Sequence, residues 1–376
     1  MKIAHLAAAA LLLLALACPR PTEAREFKVQ STDGVEISGE AGILSLRPDV
    51  AVIFVPGTGT FDRDADFGMT GTPRDLVFKD LAARMVARGV ATVRYDMRGV
   101  RHAMPRDKTL DPKLLAGRTI HNMRDDVAAV YAWSRSPEGL GARCIVFFVH
   151  SEGMLHVARL AGSGAPAPAL IIGMGAGMES PSDIVRWQIA GRDVDSLKLM
   201  DTDRDGVTTN DEVRANLFRT PSGAHGKLEP FLHPAGAWTA NDLAQLQETQ
   251  TKIYEGLKLE ILAHADSEPY PDADNAFASY QWWKSWFLDQ QPTAALLARW
   301  AVPVSLHYGD KDSQTPAGRQ SAAASAHLDA AKLKIQVHAD RGHTLGSDVL
   351  FGPIDEAIAA RIADEAAAVA KSCPQP

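Results

Sequence analysis

Short apolar runs alternate with amphipathic segments along most of this 376-residue chain. The runs at residues 50–55 (VAVIFV), 90–95 (VATVRY) and 144–149 (CIVFFV) are typical of strands that are buried on both faces of a parallel sheet. Apolar residues at helical spacing occur between them, at 78–90 and 123–136. Strands that alternate with helices predict the α/β class, with a mostly parallel, doubly wound sheet.

One long segment interrupts this alternation. Residues 178–300 are helical in pattern and rich in Trp and Asp, and the sheet pattern returns at 302–312 and 333–343 before an Ala-rich helix at 354–372. We therefore predict a core made of residues 25–177 and 301–376, with residues 178–300 inserted as a mainly helical cap. At the start of the core, residues 27–43 alternate around Asp33-Gly34 and predict a β-hairpin.

The sequence argues against a nucleic-acid partner, a zinc site and an organic cofactor. Apolar residues make up 46% of the chain, which is enough for a large core. The 46 acidic residues outnumber the 39 basic ones, and no basic cluster suggests a nucleic-acid surface. No CxxC pair or His-Cys cluster predicts zinc, and nothing predicts an organic cofactor.

Residues 1–24 have the layout of a secretory signal peptide, with one lysine, a run of Ala and Leu, and then small residues. The run is too short to span a bilayer. We expect an exported protein, periplasmic or secreted, with no transmembrane span once the signal is removed. Two cleavage sites stay open: residues 15–17 (ALA) before Cys18 resemble a lipoprotein box and would give a lipid anchor, whereas residues 22–24 (TEA) suit ordinary signal peptidase.

Cys144 and Cys373 remain after removal of the signal. An oxidising compartment would permit a disulfide between them. The sequence carries no geometry for such a pair. We expect two separate thiols, one buried at a strand start and one in the tail.

The stretch FVHSEGM, at residues 148–154, joins a predicted strand to a predicted helix. A serine hydroxyl becomes a useful nucleophile only with a base in reach, a carboxylate to orient that base, and donors for the oxyanion. Ser151 with Gly153 two residues later matches a nucleophile elbow, but Val149 stands where a small residue is usual and should crowd the turn. The alternative is a serine at a strand-to-helix junction without a catalytic role.

The partners of Ser151 should follow as a carboxylate and then a histidine, each after the carboxyl end of a late strand. Asp312 follows one late strand and His343 follows the next. Asp310 and His338 are competing residues. Asp310 lies closer to the strand end, however, and His338 falls within the apolar alternation of its strand.

The oxyanion requires two backbone N–H donors near the serine. One should be that of Glu152, and the second that of Thr58 in VPGTGT, where flanking glycines let the backbone approach a substrate closely. We expect the side chains of His150 and Glu152 to order the loop or to face solvent. The charged residues 62–64 (DRD) should brace the loop through an ion pair.

Together, the stretches VPGTGTFDRD (55–64), FKDLAARMVARGVATVRYDMRG (78–99), VHSEG (149–153), WFLDQQP (286–292), VPVSLHYGDKDSQTP (302–316) and RGHTLG (341–346) resemble bacterial serine esterases of the α/β-hydrolase superfamily. The similar branch is that of dienelactone hydrolases and S9-type or S33-type peptidases. The resemblance implies an α/β-hydrolase fold and a triad of Ser151, Asp312 and His343. Val149 and the stretch GVRHA at 99–103 depart from the family pattern.

Residues 201–212, DTDRDGVTTNDE, have the spacing of an EF-hand calcium loop, with carboxylates at positions one, three, five and twelve and glycine at position six. The predicted ligands of Ca²⁺ are Asp201, Asp203, Asp205, the Val207 carbonyl, Thr209 directly or through water, and Glu212. Thr208 at position eight and the lack of a recognisable second loop predict weak, structural binding. An acidic surface turn without metal is the alternative.

The whole sequence thus predicts an exported serine hydrolase, carboxylesterase-like, acting on a small-molecule ester. Two alternatives remain: a serine peptidase or amidase with the same triad, and a non-catalytic calcium-binding surface protein on a hydrolase scaffold. The aromatic residues Trp282, Trp283, Trp286 and Phe287 either line an acyl or aryl pocket or pack the cap.

Overall fold

The structure is a computed structural model that describes residues 23–43, 47–102, 110–216, 229–266, 268 and 279–374. The predicted signal peptide up to residue 22, including Cys18, lies outside the described residues. Glu23 and Ala24 already belong to the first strand.

A single large sheet organises the described part of the chain. The strands are β1 (Glu23–Gln30), β2 (Glu36–Ile43), β3 (Val50–Val55), β4 (Ala91–Tyr95), β5 (Cys144–His150), β6 (Leu170–Met174), β7 (Thr208–Thr209), β8 (Ala237–Trp238), β9 (Val304–Gly309) and β10 (Leu333–His338). Eight of them form this sheet, in the order β1-β2-β4-β3-β5-β6-β9-β10, and only β2 runs antiparallel to its neighbours. The predicted hairpin is confirmed as β1–β2, and the predicted mostly parallel α/β sheet is confirmed.

Helices follow most of the parallel strands. They are α1 (Val77–Val86), α2 (Pro112–Ala116), α3 (Ile120–Arg135), α4 (Gly153–Gly162), α5 (Pro181–Ala190), α6 (Arg192–Met200), α7 (Asn210–Ala215), α8 (Ala240–Ala263), α9 (Tyr280–Leu288), α10 (Thr293–Leu297), α11 (Ala317–His327) and α12 (Glu356–Ala368). Within the described ranges, none of these helices combines the length and the apolar character needed to cross a membrane.

The two faces of the sheet are covered by different helices. Along β5, Ile145 and Phe147 join a core cluster with α3, α4 and α10, whereas Val146 and Phe148 join a second cluster with α1 and α12. Successive side chains of a strand point to opposite faces. Because both faces are covered, each central strand needs apolar side chains on both, which explains the continuous apolar runs.

The cap is made of α5 to α9 and lies between β6 and β9 in the chain. Its α5, α8 and α9 pack on one another and share an apolar cluster with Leu155 of α4. The cap begins and ends at the same place, because the Ala294 N–H donates to the Met178 carbonyl at 3.0 Å. Residues 293–300, assigned to the insertion from sequence, pack partly into the core, where Leu296 and Leu297 are buried beside α4.

A disulfide joins Cys144 to Cys373, with their Cα atoms 6.0 Å apart. The expectation of two separate thiols is therefore wrong. After α12 crosses the face covered by α1, the chain end returns to the start of β5, where both cysteines belong to the same buried cluster. This approach depends on the path of the last helix over the sheet, which sequence spacing does not reveal.

Candidate active site

Ser151 stands on a tight turn between β5 and α4. Its φ is 51°, in the left-handed region that a non-glycine residue adopts at a cost of about 1–3 kcal/mol. A Cβ on Gly57 would lie only 2.8 Å from the Ser151 Cβ, so glycine lets the loop after β3 reach the serine. A strained serine beyond the carboxyl edge of the sheet is the geometry of a nucleophile elbow.

Val149, expected to crowd this turn, is fully buried in β5. Its neighbours in the sheet are Val55 on one side and Gly173 on the other. Its side chain joins the core cluster that includes residues of α3, α4 and α10, so the branched residue is packed within the sheet below the turn. The departure from the family pattern is thus absorbed by the core.

Asp312 and His343 form a buried pair after β9 and β10. The His343 Nδ1 lies 2.8 Å from the Asp312 Oδ2. The other carboxylate oxygen accepts the backbone N–H groups of Gln314 and Thr315, at 2.8 and 3.0 Å. A carboxylate fixed in this way keeps the proton on Nδ1 and leaves Nε2 free to act as a base.

The competing residues lie away from this pair. Asp310 is exposed, with its Oδ1 3.4 Å from the backbone N of Arg341. The ring of His338 stacks on His307, and its Nε2 lies 3.1 Å from the His307 Nδ1. Among the described residues, neither competitor lines the cavity that contains Ser151.

Ser151 and His343 line the same cavity, which has a volume of about 340 Å³. In the described part of the chain no hydrogen bond joins the Ser151 Oγ to His343, and such bonds often tighten only when substrate binds. The apolar part of the lining consists of Phe61, Phe67, Leu155, Ile184, Val185, Trp282, Trp283, Trp286, Leu350 and Phe351. Three of the four cap aromatics therefore line the cavity, and Phe287 is buried in the cap.

The side chains of His150 and Glu152 are buried, with exposed fractions of 3% and 5%. The sequence left open whether these two side chains order the loop or face solvent. The second alternative is wrong, because the loops and the cap cover the turn. Burial lowers the pKa of His150 well below its usual value, and nearby His343 acts in the same direction. Burial also raises the pKa of Glu152, although a hydrogen bond from Thr58 opposes the rise.

The predicted ion pair that braces the loop after β3 is confirmed. Arg63 contacts Asp96 at 2.8 Å, and Asp64 contacts Arg94. All four side chains are buried. These ion pairs hold the segment after Thr58 against Arg94 of β4 and against Asp96, which follows that strand.

The calcium-type loop brings three carboxylates together. Oxygens of Asp201, Asp203 and Asp205 lie within 4.8 Å of one another. Gly206 has a φ of 88°, and its N–H donates to the Asp201 Oδ2 at 3.0 Å. The Asp201 Oδ1 is buried and has no hydrogen-bond partner among the described residues, so this oxygen set fits a hard cation such as Ca²⁺.

The fourth predicted carboxylate ligand, Glu212, is held by the backbone of its own loop. Glu212 accepts the backbone N–H groups of Thr209 and Thr202, at 2.9 and 2.8 Å, and these bonds lower its pKa to about 2. Val207 donates its N–H to Asp205 at 2.8 Å. Of the four predicted carboxylate ligands, three thus meet in one cluster of the described residues.

A second loop pairs with the first, which the sequence analysis missed. β7 and β8 are antiparallel, with Thr208 opposite Trp238 and Thr209 opposite Ala237. Residues 231–242 repeat the pattern of residues 201–212 with an offset of 30. In each loop, position six is a glycine with positive φ, and the threonine at position nine caps the helix that follows. Position twelve is an acidic residue whose side chain completes the cap. The shared pattern G-x-x-T-x-x-acid was the available signal, but Phe231, His233 and Ala235 replace the three carboxylates.

Comparison with known proteins places the fold. No family model matches the chain, and no curated protein matches it by sequence. It is similar to DcsB, solved with a substrate analogue, at 15% identity over 94% of this chain and 100% of that one, with a TM-score of 0.50. The sheet order, in which β4 lies between β2 and β3 and β2 is antiparallel, is that of the α/β-hydrolase fold.

Two further structures with this hydrolase fold cover nearly the whole chain. An α/β hydrolase, GrgF, from Penicillium sp. sh18 is 12% identical over 93% of this chain and 99% of its own, with a TM-score of 0.49. An esterase from Pyrococcus furiosus is 11% identical over 94% of this chain and 91% of its own, also with a TM-score of 0.49. At such identities the likeness concerns the fold, and the chemistry has to be argued from the site.

Proposed function

We propose that this protein is an exported serine hydrolase that cleaves carboxylic esters through an acyl-enzyme. The observation that carries the proposal is the arrangement of one cavity. A strained serine and the base of a buried Asp–His pair line it together, on the edge of the sheet where α/β folds hold their active sites.

The reaction uses the groups in sequence. Ser151 Oγ attacks the ester carbonyl while the His343 Nε2 takes its proton, and Asp312 stabilises the imidazolium. The backbone N–H groups of Thr58 and Glu152 donate to the oxyanion. The C–O bond to the alcohol then breaks, His343 protonates the leaving alcohol, and water attacks the acyl-enzyme by the same steps.

The lining of the cavity favours an apolar or aromatic ester. Three tryptophans of the cap and two phenylalanines of the segment between β3 and β4 line the cavity that contains the serine. The volume of this cavity suits a small molecule. A short-chain aryl ester is therefore the first substrate to assay. Comparison of p-nitrophenyl butyrate with aminoacyl p-nitroanilides separates ester cleavage from the peptidase or amidase alternative.

We propose that residues 201–212 hold a structural Ca²⁺. The support is the cluster of Asp201, Asp203 and Asp205, with an unpartnered Asp201 oxygen. Glu212 and the Val207 carbonyl would complete the set of oxygens. The paired loop at 231–242 lacks these carboxylates and would serve as a structural partner.

Export is supported by two features. The N-terminal segment has the composition of a signal peptide, and the disulfide between Cys144 and Cys373 is of a kind that persists in oxidising compartments. Palmitate labelling that is lost in Cys18→Ser would establish a lipid anchor; labelling absent from the wild type would exclude it.

Labelling with a fluorophosphonate probe tests the catalytic proposal. We expect an adduct on Ser151, located by peptide mass spectrometry and absent from Ser151→Ala. No adduct on folded wild-type protein would refute the proposal and favour a non-catalytic scaffold.

A further inference from the structure

The side chain of Glu152 makes a contact that its backbone role does not require. The Thr58 hydroxyl donates to the Glu152 Oε2 at 2.5 Å. Glu152 is buried, whereas Thr58 is exposed in the loop after β3, and both line the cavity. The two residues that offer backbone N–H groups to the oxyanion are therefore joined to each other by their side chains.

The next residue of the loop, Gly59, is held by a second buried side chain. Arg118 is almost fully buried, and its guanidinium donates to the Gly59 carbonyl at 2.6 Å and to the Arg98 carbonyl at 2.9 Å. Its positive charge is also close enough to attract the Glu152 carboxylate. The loop thus has two fixed points in succession, the Thr58 hydroxyl and the Gly59 carbonyl.

Glu152 also connects this loop to the cap. Trp282 and Trp286 of α9 line the same cavity as Glu152, and both side chains act to lower the pKa of its carboxyl group. The Glu152 carboxyl group is therefore bonded to the loop that offers an oxyanion donor and shares the cavity with the helix that covers the substrate.

We propose that the Glu152 side chain is a positioning residue, which holds the Thr58 N–H at the distance from Ser151 that the oxyanion requires. This inference rests on the proposed hydrolase function. Oxyanion donors are effective because they are fixed before the reaction, so a loop free to move should bind substrate but stabilise the transition state poorly. His343 is the base, and Glu152 takes no proton in the reaction.

The inference predicts a specific kinetic pattern. Thr58→Val and Glu152→Leu should each lower kcat for p-nitrophenyl butyrate by about 10- to 100-fold while KM changes by less than about threefold. Thr58→Ser and Glu152→Gln keep a donor and an acceptor and should recover most of the loss. The double variant Thr58→Val/Glu152→Leu should be no slower than the slower single variant, since the contact can be lost only once.

A transition-state mimic provides a readout that a purely structural role would not change. The inhibition constant of a trifluoromethyl ketone, which forms an oxyanion on Ser151, should weaken in parallel with kcat/KM across the variants. Thr60→Val is the matched control, because Thr60 lies in the same loop but outside the cavity lining, and it should keep the wild-type values. Circular dichroism and thermal melting identify any variant that fails to fold; because Thr58 is exposed, the Thr58 variants remain informative.

Two negative outcomes can be distinguished. A wild type that reacts with the fluorophosphonate, beside folded Thr58→Val and Glu152→Leu with kcat within threefold of it, would overturn this inference alone. A wild type without an adduct would overturn the proposed function and the inference with it.

Discussion

Replacement of both Cys144 and Cys373 by serine should lower the melting temperature of the oxidised protein by roughly 4 °C. The crosslink joins residues 229 apart. For a loop of this length the chain-entropy relation gives about 5 kcal/mol, and measured disulfides usually contribute about 2–4 kcal/mol. With an unfolding entropy of about 0.7 kcal/mol/K for a chain of this size, a loss of about 3 kcal/mol corresponds to that shift.

Calorimetry of three samples measures the effect: oxidised wild type, wild type with a reductant, and the double serine variant. The reductant should lower the melting temperature of the wild type and leave that of the variant unchanged. Thiol titration of the unfolded, non-reduced wild type should find neither Cys144 nor Cys373 free. Two free thiols, or equal melting temperatures for all three samples, would refute the argument that the tail is fastened to β5.

Three further predictions concern the site, pH and metal. Asp312→Asn should lower kcat for p-nitrophenyl butyrate by about 10⁴-fold, because the amide no longer fixes the imidazole tautomer; activity within tenfold of wild type would remove Asp312 from the triad. Burial lowers the pKa of the His156 side chain from its usual 6.5 to about 3. As the pH decreases, the unfolded chain therefore binds a proton before the folded protein does, and the free energy of unfolding should fall between pH 6.5 and pH 3. The decrease is about 2 kcal/mol by pH 5, and urea unfolding should show a flatter pH dependence for His156→Phe; equal slopes would contradict this. Millimolar Ca²⁺ should raise the melting temperature of the wild type by a few degrees but not that of Glu212→Gln; Asp211→Asn is the control and should respond like the wild type, since Asp211 is not a predicted ligand. EDTA should lower the melting temperature more than it lowers the initial rate measured in the cold. The absence of any heat of calcium binding in calorimetry would exclude the metal.

The sheet and the placement of Ser151, Asp312 and His343 beyond its strands could be predicted because each depends on local pattern. A strand covered on both faces has to be apolar throughout, and Val50–Val55 and Cys144–His150 show this directly. Ser151 and Asp312 follow the buried strands β5 and β9, His343 follows the edge strand β10, and a parallel sheet places all carboxyl ends at one edge.

The parts that escaped prediction depend on contacts between distant segments. The burial of Glu152 requires the cap tryptophans, whose position relative to the turn no spacing gives. The disulfide requires α12 to lead the chain end back to β5. The second loop has the glycine, the threonine and the final acid but none of the three carboxylates, so the spacing of calcium ligands does not identify it.

The adjoining ends of the cap have an evolutionary consequence. Because Met178 and Ala294 are hydrogen-bonded neighbours, the chain leaves the core and returns to it at one place, and the length of the segment between them places little constraint on the sheet. A lineage can therefore exchange, lengthen or shorten this segment and change the shape of the cavity while the serine, histidine and aspartate stay in place. The paired loops give such an exchangeable module a small apolar core of its own, formed by Val194, Leu197, Met200, Val213, Phe231 and Leu243.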